Sequence, residues 1–246
     1  MRHENIVILT GAGISKESGI DTFRDKGGIW SKVKVEDVAT PQAFEKNPST
    51  VQKFYNERRA NLLDPSIKPN AAHFALARLE REWQGDVAVV TQNIDNLHEA
   101  AGTKNLIHMH GELLKARCTN CGLVLYWEKP LGEGEKCPDC YQKTLRPHVV
   151  WFGEEPLEME RVYALLQGCA LFISLGTSGH VYPAAGFIKM IKKHFLNIYT
   201  VELNLEPSAG ATLFDEVRYG AATDIIPEFV EELLFNGVPS KDTNRN

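Results

Sequence analysis

The chain has 246 residues, of which 43% are hydrophobic and 24% are charged, and this composition is typical of an ordinary globular protein. A chain of this length can bury a core large enough to need no support from disulfide bonds. Its 27 basic and 32 acidic side chains give a net charge of -5, which argues against a general affinity for nucleic acid because no basic excess is present to neutralise phosphates.

The first residues do not have the pattern of a secretory signal. Their apolar run, residues 6–9, is short, and Gly11 and Gly13 follow it closely. No stretch of the chain approaches the roughly 18 apolar residues of a membrane-spanning helix. Cysteines in close pairs indicate metal binding rather than disulfides in a reducing compartment. We therefore expect a cytoplasmic protein with no membrane-spanning segment.

Four short apolar runs predict buried strands, at residues 6–9, 87–90, 171–175 and 198–203. These runs are rich in β-branched residues, and segments of helical character separate them, such as 71–83 and 184–193. Strands that alternate with helices predict an α/β fold, in which a parallel sheet carries helices on both faces.

Glycines and small polar side chains follow these runs. They are Thr10, Gly11, Ala12, Gly13, Ile14 and Ser15 after the first run, Thr91, Gln92, Asn93, Ile94 and Asp95 after the second, Gly176, Thr177 and Ser178 after the third, and Glu202 and Asn204 near the end of the fourth. Open parallel sheets bind ligands at the carboxyl ends of their strands. Glycines let the backbone approach a pyrophosphate, whose charge suits free amides at a helix N-terminus. The pattern predicts a nucleotide site.

The glycine motif alone is a weak signal. The dinucleotide fingerprint requires a third glycine at position 16, where this chain has Lys16. It also requires an acidic residue at the end of a second strand, about 20 residues on, and no strand-like run leads into Glu36 or Asp37. A tight turn without a nucleotide would explain the two glycines equally well. An ordinary hydride-transferring dehydrogenase is accordingly disfavoured.

Two cysteine pairs, Cys118 with Cys121 and Cys137 with Cys140, are separated by fifteen residues. This spacing is typical of a structural zinc site, in which each pair forms a turn that directs two thiolates at one ion. Four thiolates fill the tetrahedron and leave no position for a catalytic water, so we expect the zinc to be structural. Cys169 stands alone before an apolar run and is expected to be a small buried hydrophobe.

A zinc ribbon can be a nucleic-acid-binding module, so its charge matters. The segment 118–140 carries more acidic than basic side chains: Glu128, Glu133, Glu135 and Asp139 against Lys129 and Lys136. Such a segment is not a phosphate-binding face. We therefore expect no direct contact with nucleic acid.

Taken together, these motifs resemble one family, the sirtuins. The matching stretches are residues 11–15, 18–24, 91–98 and 108–111, the cysteine quartet, residues 176–178 and residues 201–204. They occur in the order that the family has, and the resemblance covers about residues 5–235. The combination is far more specific than any single glycine motif.

The resemblance implies a Rossmann-like parallel sheet with a smaller inserted domain, made of a zinc ribbon and a helical segment. The Rossmann-like core would comprise about residues 1–26, 71–112 and 146–238. The helical insert would comprise about residues 27–70 and the zinc-ribbon insert about residues 113–145. The acyl-lysine substrate would enter between the two parts of this single catalytic unit.

The resemblance also implies an NAD site, with NAD as co-substrate. The residues expected to contact NAD are Gly11, Ala12, Gly13, Ile14, Ser15, Thr22, Phe23, Arg24, Trp30, Gln92, Asn93, Ile94, Asp95, Gly176, Thr177, Ser178, Asn204, Leu205, Glu206 and Ala222. Arg24 would lie near the phosphates and Phe23 would shield the reacting ribose. Gln92, Asn93 and Asp95 would line the nicotinamide pocket. A substrate-pairing strand would include Val149, Trp151, Phe152, Gly153 and Glu154, an instance of β-addition.

The chemistry that the resemblance implies is acyl transfer. In the family, the acyl carbonyl oxygen attacks the ribose carbon that bears nicotinamide, and a histidine then acts as general base on a ribose hydroxyl. That histidine matches His110, and Asn93 is expected to assist it. Imidazole suits the role because its ordinary pKa lies near neutral pH. His108 is the competitor, and spacing alone does not choose between the two.

Tyr55 and Arg58 carry a clue to the acyl group. They lie three residues apart in a helix-like segment, so their side chains share one face. A core tyrosine and a solvated arginine would be the plainer interpretation. The pair also resembles the sirtuin subgroup that prefers succinyl-lysine, in which arginine binds a carboxylate and tyrosine adds a hydrogen bond. By the same resemblance, Ala39 would leave room for the longer acyl chain.

The sequence therefore predicts an NAD-dependent lysine deacylase that acts on acetyl- and succinyl-lysine of other proteins, contains one structural zinc ion and is a monomer. Two alternatives stay open at this point. One is a non-enzymatic zinc and nucleotide sensor, which only the zinc ribbon supports. The other is an ADP-ribosyltransferase, which would use the same NAD site and release the same nicotinamide.

Overall fold

The computed structural model describes residues 4–22, 28–132 and 134–239. Nine strands follow one another within these ranges: β1 (Ile6–Thr10), β2 (Val87–Thr91), β3 (Leu106–His108), β4 (Gly111–Cys118), β5 (Val124–Tyr126), β6 (Leu145–Val149), β7 (Leu171–Leu175), β8 (Tyr199–Asn204) and β9 (Glu216–Tyr219). The same ranges contain nine α-helices: α1 (Ile29–Lys32), α2 (Val35–Val38), α3 (Pro41–Lys46), α4 (Pro48–Leu62), α5 (Ala71–Glu82), α6 (Leu97–Ala101), α7 (Met159–Gly168), α8 (Phe187–His194) and α9 (Ala222–Asn236). None of these helices has the length and apolar character needed to cross a membrane.

Six parallel strands form the main sheet, in the order β3-β2-β1-β7-β8-β9. In its centre Ile8 lies opposite Val89 on one side and Ile173 on the other. Alternate residues of a strand face opposite sides of the sheet. Accordingly Ile6 and Ile8 join the core that α5 and α9 cover, while Val7 and Leu9 join the core that α7 and α8 cover. The predicted α/β fold with helices on both faces is confirmed.

The four predicted strands are present, each within a residue or so of its predicted bounds, but two edge strands and one helix start were missed. Strands β3 and β9 have only three and four residues, and the segment from Ala184 begins as a short 3-10 turn before α8. The expectation of a helix N-terminus directly after β1 was wrong. Two 3-10 turns, Ala12–Ile14 and Lys16–Ser18, follow that strand, and the first α-helix begins at Ile29.

Three antiparallel strands form a second sheet, in the order β5-β4-β6. It carries the four clustered cysteines, as a zinc ribbon would, and it extends slightly beyond the predicted insert at both ends, from Gly111 to Val149. The helical segment packs on the sheet through a shared core that contains Phe54, Leu113 and Trp151. The exact domain boundaries given above stay a proposal.

Candidate active site

A cavity of about 900 Å³ lies at the carboxyl ends of the central strands. Most residues expected to contact NAD or substrate line it: Gly11, Ala12, Gly13, Thr22, Trp30, Tyr55, Arg58, Gln92, Asn93, Ile94, His110, Val149, Trp151, Phe152, Gly153, Glu154, Gly176, Thr177, Ser178, Asn204, Leu205, Glu206 and Ala222. A parallel sheet brings these distant segments to one edge because its strands all end there. The cavity therefore unites the motifs that were picked out separately in the sequence.

The glycines at this edge allow two loops to touch. A Cβ on Gly13 would lie 2.7 Å from the Cα of Gly176, and a Cβ on Gly11 would lie 2.7 Å from the Gly176 carbonyl oxygen. The Gly13 N–H donates to that oxygen at 2.8 Å, and Gly176 itself has a φ of +61°, which favours glycine. We expected these glycines to admit a pyrophosphate. Their immediate structural role is the close approach of the β1 and β7 loops.

Residues 92–95 connect the large cavity to a smaller one of about 190 Å³. Asn93 and Ile94 line both, whereas Ser15 and Asp95 line only the smaller one. The Asp95 carboxylate accepts hydrogen bonds from the Ser15 hydroxyl at 2.9 Å and from the Leu97 N–H at 3.1 Å. Burial nevertheless raises the pKa of Asp95, against the lowering effect of these two donors. A pocket that combines apolar walls with the Asn93 amide and the Asp95 carboxylate can hold a flat amide-bearing ring.

Three residues expected to contact NAD need separate mention. Ile14 is fully buried, belongs to the core beneath the sheet and lines neither cavity, so its side chain cannot contact a ligand there. The sequence did not show that the Ile14 side chain faces the core, because residue types alone do not specify which way a turn directs a side chain. Phe23 and Arg24 lie outside the described residues.

The structure distinguishes the two candidate histidines. His110 Nδ1 lies 3.1 Å from the Gln92 carbonyl oxygen, so Nδ1 carries the proton and Nε2 keeps a lone pair. His110 lines the large cavity. Burial lowers the pKa of His110, and the hydrogen bond to the Gln92 carbonyl opposes this only in part. Among the described residues no partner is recorded for Nε2, and a neutral imidazole with an available nitrogen in a cavity has the form that a general base requires.

His108 has the opposite environment. Its Nδ1 lies 3.2 Å from the Asn93 carbonyl oxygen and its Nε2 lies 2.8 Å from the Glu99 carboxylate, so both ring nitrogens have partners. Burial lowers the pKa of His108, but the hydrogen bond and charge of Glu99 outweigh it, with help from Glu112, and the pKa is raised. His108 does not line either cavity.

Tyr55 and Arg58 meet in the cavity, as their spacing on α4 predicts. The Arg58 guanidinium stacks on the Phe54 ring, 3.3 Å from its centroid, and donates to the Phe54 carbonyl oxygen at 2.9 Å. Its Nε is buried and has no hydrogen-bond partner among the described residues. Burial lowers the pKa of Arg58 to about 10, so the side chain is still charged at neutral pH. A charged arginine that lines a cavity is suited to an anionic ligand.

The predicted strand at residues 149–154 requires correction. Strand β6 ends at Val149, and the chain then turns, with the Glu154 N–H donating to the Trp151 carbonyl oxygen at 3.0 Å. Gly153 has a φ of +93°, which does not belong to a strand. The backbone N–H of Phe152 is also used, by the Ala39 carbonyl oxygen at 3.0 Å. The strand was expected from the resemblance to sirtuins, and of its residues only Val149 belongs to β6.

Several cavity residues were not predicted. His180, Val181 and Tyr182 line the large cavity from the loop after β7, and Gly220 and Ala221 line it after β9. We had given His180 no role. The available signal was its position two residues after Ser178, at the carboxyl end of a predicted strand. Strand β9 itself was not predicted, and of the residues that follow it only Ala222 was expected at the site, from the resemblance.

The cysteine quartet has the geometry of a zinc site. All four Sγ atoms lie within 4.8 Å of one another, with the pairs Cys118–Cys140 and Cys121–Cys137 both 3.6 Å apart. Zinc–sulfur bonds of about 2.3 Å in a tetrahedron place the sulfurs roughly 3.8 Å apart. The four thiols therefore fit one structural zinc ion, and they lie in the ribbon rather than around the large cavity.

Comparisons with known proteins agree with this geometry. The model of the Sir2 family matches residues 11–183. The chain is 57% identical to an NAD-dependent protein deacylase of Leishmania major over 233 residues, covering 93% of this chain and 95% of that protein. It is 56% identical to an NAD-dependent protein deacylase of Pasteurella multocida over 230 residues, covering 93% and 97% respectively. A solved Sir2 homologue in complex with ADP-ribose superposes with a TM-score of 0.86 at 36% identity, covering 96% of this chain and 95% of that one. The resemblance to sirtuins is confirmed, and the chain belongs to the Sir2 family.

Proposed function

We propose that this protein is an NAD-dependent lysine deacylase that removes acetyl and succinyl groups from other proteins and yields nicotinamide and O-acyl-ADP-ribose. The names of its relatives support the reaction class. The observation that carries the proposal is the cavity itself, because His110 and Arg58 line the same space as the glycine-edged loops. The proposed reaction uses a histidine base, an arginine that binds an anion and a cavity that can hold a dinucleotide, and all three occur together here.

The residues present fit NAD. Gly11, Thr177 and Asn204 border the adenosine and phosphate side, and the side-chain amide of Asn204 braces the loop by donating to the Thr177 carbonyl oxygen at 2.8 Å. Asn93 and Asp95 form the polar end that would receive the carboxamide. When bound, NAD supplies a ribose carbon from which nicotinamide can leave, and so accepts the acyl oxygen.

His110 would hold and move a proton. Its Nδ1–H is committed to the Gln92 carbonyl, so Nε2 can accept a proton from a ribose hydroxyl. The Gln92 side chain donates to the Thr177 hydroxyl at 3.2 Å, and this contact ties the segment that orients the base to the nucleotide-binding loop. Asn93 would contribute by fixing the loop geometry, since its side-chain amide donates to the Gly11 carbonyl oxygen at 3.1 Å.

The acyl group would be bound by Tyr55 and Arg58. Arg58 brings a charged guanidinium to the cavity, beside Tyr55, which is only 4% exposed. Ala39, also buried, lines the same cavity and leaves room that a larger side chain would fill. A succinyl carboxylate would supply a negative charge for the Arg58 guanidinium to bind, whereas an acetyl group would not.

Acyl selectivity tests this part of the proposal. Arg58→Met should lower kcat/KM for a succinyl-lysine peptide by about 30-fold to several thousand-fold, because loss of one partner of a buried charge pair costs about 2–5 kcal/mol. Tyr55→Phe removes one hydrogen bond to a charged acceptor and should cost about 1.5–3 kcal/mol on the same peptide. The acetyl-lysine peptide of the same sequence should be affected much less by either change. The measurement is kcat/KM for both peptides at saturating NAD.

Lys53→Met is the matched control, because Lys53 is an exposed cation on the same helix α4 and lines neither cavity. It should leave the succinyl-to-acetyl ratio near that of the unaltered protein. Equal losses on both peptides in Arg58→Met would make Arg58 a structural residue. The succinyl preference would then be abandoned, and the deacylase assignment would stand.

A further inference from the structure

Arg146 of strand β6 is a buried charge with an unusual set of contacts. Its side chain is only 5% exposed. The guanidinium carbon lies 3.2 Å from the centroid of the Trp151 ring, and the Nη atoms donate to the Glu154 carboxylate at 2.6 and 3.0 Å. A further bond reaches the Val149 carbonyl oxygen at 2.8 Å. Arg146 therefore binds both ends of the turn that lines the cavity.

This arrangement immobilises Trp151. The Glu154 carboxylate that holds Arg146 also accepts the backbone N–H of Trp151 at 2.8 Å. The indole is stacked beneath the guanidinium on one side and packs on the Phe44 ring, with centroids 5.2 Å apart. Because a planar guanidinium can stack and form paired hydrogen bonds at once, it fixes both the backbone and the ring plane of this residue.

The fixed indole then determines what Tyr55 can do. Trp151 Nε1–H donates to the Tyr55 hydroxyl oxygen at 3.0 Å, and an indole is only ever a donor. The Tyr55 oxygen is thus the acceptor in this bond, and its own proton stays available. Among the residues that the structure describes, no acceptor for that proton is recorded. Tyr55 accordingly presents a donor to a ligand in the cavity.

We propose that Arg146 is a positioning residue for acyl selectivity, which holds the Trp151 indole so that the Tyr55 hydroxyl must donate to the acyl carboxylate. This inference rests on the proposed succinyl-lysine activity. Arg146 itself does not line the cavity, so it acts through Trp151 and Tyr55 rather than by contact with the acyl group.

The chain contains a matched control. Arg117 also donates to Glu154, at 2.8 Å, but its side chain is 26% exposed and it has no recorded ring contact with Trp151 in the described part of the chain. Arg117→Met therefore removes one cation from the same carboxylate and leaves the indole stacked. Arg146→Lys keeps the charge and removes the planar group that stacks. The two variants separate charge from positioning.

The first measurement does not depend on activity. The chain has four tryptophans, so the indole N–H region of a ¹H–¹⁵N NMR spectrum is simple, and Trp151→Phe assigns the resonance. Arg146→Lys should shift the Trp151 indole resonance and speed its exchange with solvent, as should Tyr55→Phe, whereas Arg117→Met should not. An unchanged resonance in Arg146→Lys would overturn the inference whatever the enzyme's activity.

The second measurement is a double-mutant cycle on the succinyl-to-acetyl ratio of kcat/KM. Arg146→Lys should lower the ratio about 10-fold, the lower end for one hydrogen bond to a charged acceptor. It should lower the ratio no further in the Tyr55→Phe background. A full additional loss in that background, or an equal loss in Arg117→Met, would show that Arg146 does not act through Tyr55.

The failures are distinguishable. If Tyr55→Phe and Arg58→Met lower the ratio while Arg146→Lys does not, the role of Arg146 is wrong and the acyl assignment stands. If neither Tyr55→Phe nor Arg58→Met changes the ratio, the succinyl assignment fails and the proposed role of Arg146 fails with it. A thermal unfolding curve for every variant identifies losses that come from misfolding, which would lower both substrates together.

Discussion

Two histidines that are separated by one residue have opposite properties here. His110 keeps one free ring nitrogen and its pKa is lowered by burial, whereas both nitrogens of His108 are occupied and its pKa is raised despite burial. Strand alternation does not explain the difference, since residues at i and i+2 of a strand face the same side. The chain bends after His108, at the end of β3, and carries His110 to the cavity.

The His110 variant tests the assignment of the base. His110→Ala should lower kcat by about 10²–10⁴-fold, the usual contribution of a positioned base. His108→Ala should have a smaller effect, because it removes only the imidazole that bridges the Glu99 carboxylate and the Asn93 carbonyl. Steady-state kinetics with an acetyl-lysine peptide check this, with thermal unfolding as the control for folding. Near-normal turnover in His110→Ala together with an inactive His108→Ala would reverse the two roles.

The pH profile gives an independent test of the same residue. The base must be neutral, so kcat/KM should fall as the pH drops through the His110 pKa. Burial lowers that pKa, so the acid limb should lie below the ordinary histidine value of about 6.5. A limb centred above the ordinary histidine value would fit His108 instead, whose pKa is raised.

At the residue scale, the sequence predicted the chemistry of the site well but did not predict which way individual side chains point. Spacing could not choose between His108 and His110, because the choice depends on the carbonyl groups of Gln92 and Asn93, which only the fold brings near. Ile14 was expected at the ligand and faces the core, while His180 was given no role and lines the cavity. Side-chain direction in irregular turns depends on backbone angles that composition does not specify.

At the scale of the elements, the residue that caps helix α5 also binds the loop after β1. Asn70 caps the helix by accepting from the Ala72 N–H at 3.0 Å, and its Nδ2 donates to the Ile14 carbonyl oxygen at 2.8 Å. His73 completes a capping box by accepting from the Asn70 N–H at 3.3 Å. His73 is fully buried, and burial lowers its pKa to about 4.

His73 should therefore make stability depend on pH. Its folded pKa lies below the unfolded value of about 6.5, so the neutral form stabilises the fold above pH 6.5 and this contribution is lost as the pH falls toward 4. The lost free energy of unfolding should reach up to about 3 kcal/mol. His73→Gln keeps a side chain that can complete the capping box but does not titrate. Urea unfolding at pH 7 and pH 4.5 should show a smaller decrease for this variant.

The free energy of unfolding of His73→Gln should still decrease somewhat in acid, because His98 titrates too. Burial lowers the pKa of His98 well below 6.5. Proton-driven loss of zinc also lowers stability in acid, but it affects both proteins alike and cancels in the comparison. Identical decreases in the two proteins would mean that His73 does not titrate in this range.

Whole elements were predicted best where they were long and buried. Strands β1, β2 and β7 are buried throughout, and such apolar runs are the clearest signal of a parallel strand. Strand β9 has the pattern Glu-Val-Arg-Tyr and β3 has three residues, so neither stands out from a loop. Edge strands are short and partly polar because one of their sides has no neighbour.

At the scale of the whole molecule, the zinc ribbon holds helix α4, which we propose to bind the acyl group. Helix α4, which carries Tyr55 and Arg58, is attached to the second sheet and its loop by two further side chains. The Asn56 side chain exchanges hydrogen bonds with the backbone of Leu131 at 2.8 and 2.9 Å, and Arg59 Nε donates to the Leu113 carbonyl oxygen at 3.1 Å. Leu113 belongs to β4 and Leu131 to the loop after β5, and both lie in the ribbon that zinc stabilises, so loss of zinc should disturb α4.

Cys137→Ser should accordingly release zinc and lower stability, since metal binding contributes directly to folding in such ribbons. Deacylation should fall with it, and more for succinyl-lysine than for acetyl-lysine, because α4 carries the residues that we propose to bind the succinyl carboxylate. Cys169→Ala is the control, as this buried cysteine lies outside the quartet. Metal analysis should give one zinc per chain in Cys169→Ala and much less in Cys137→Ser. A metal-free quartet variant that is folded and fully active would refute a structural zinc.

The monomeric state and the cytoplasmic location stay predictions. The central claim, acyl transfer to ADP-ribose, is tested most directly by the products formed from NAD that is labelled in its adenine. With an acetyl- or succinyl-lysine peptide, the protein should release nicotinamide in equal amounts with deacylated peptide, and the label should appear in free O-acyl-ADP-ribose. Without the acyl group, nicotinamide release should stop. Label attached to protein or peptide would instead identify an ADP-ribosyltransferase, and either that result or a gain of NADH absorbance would contradict the deacylase account.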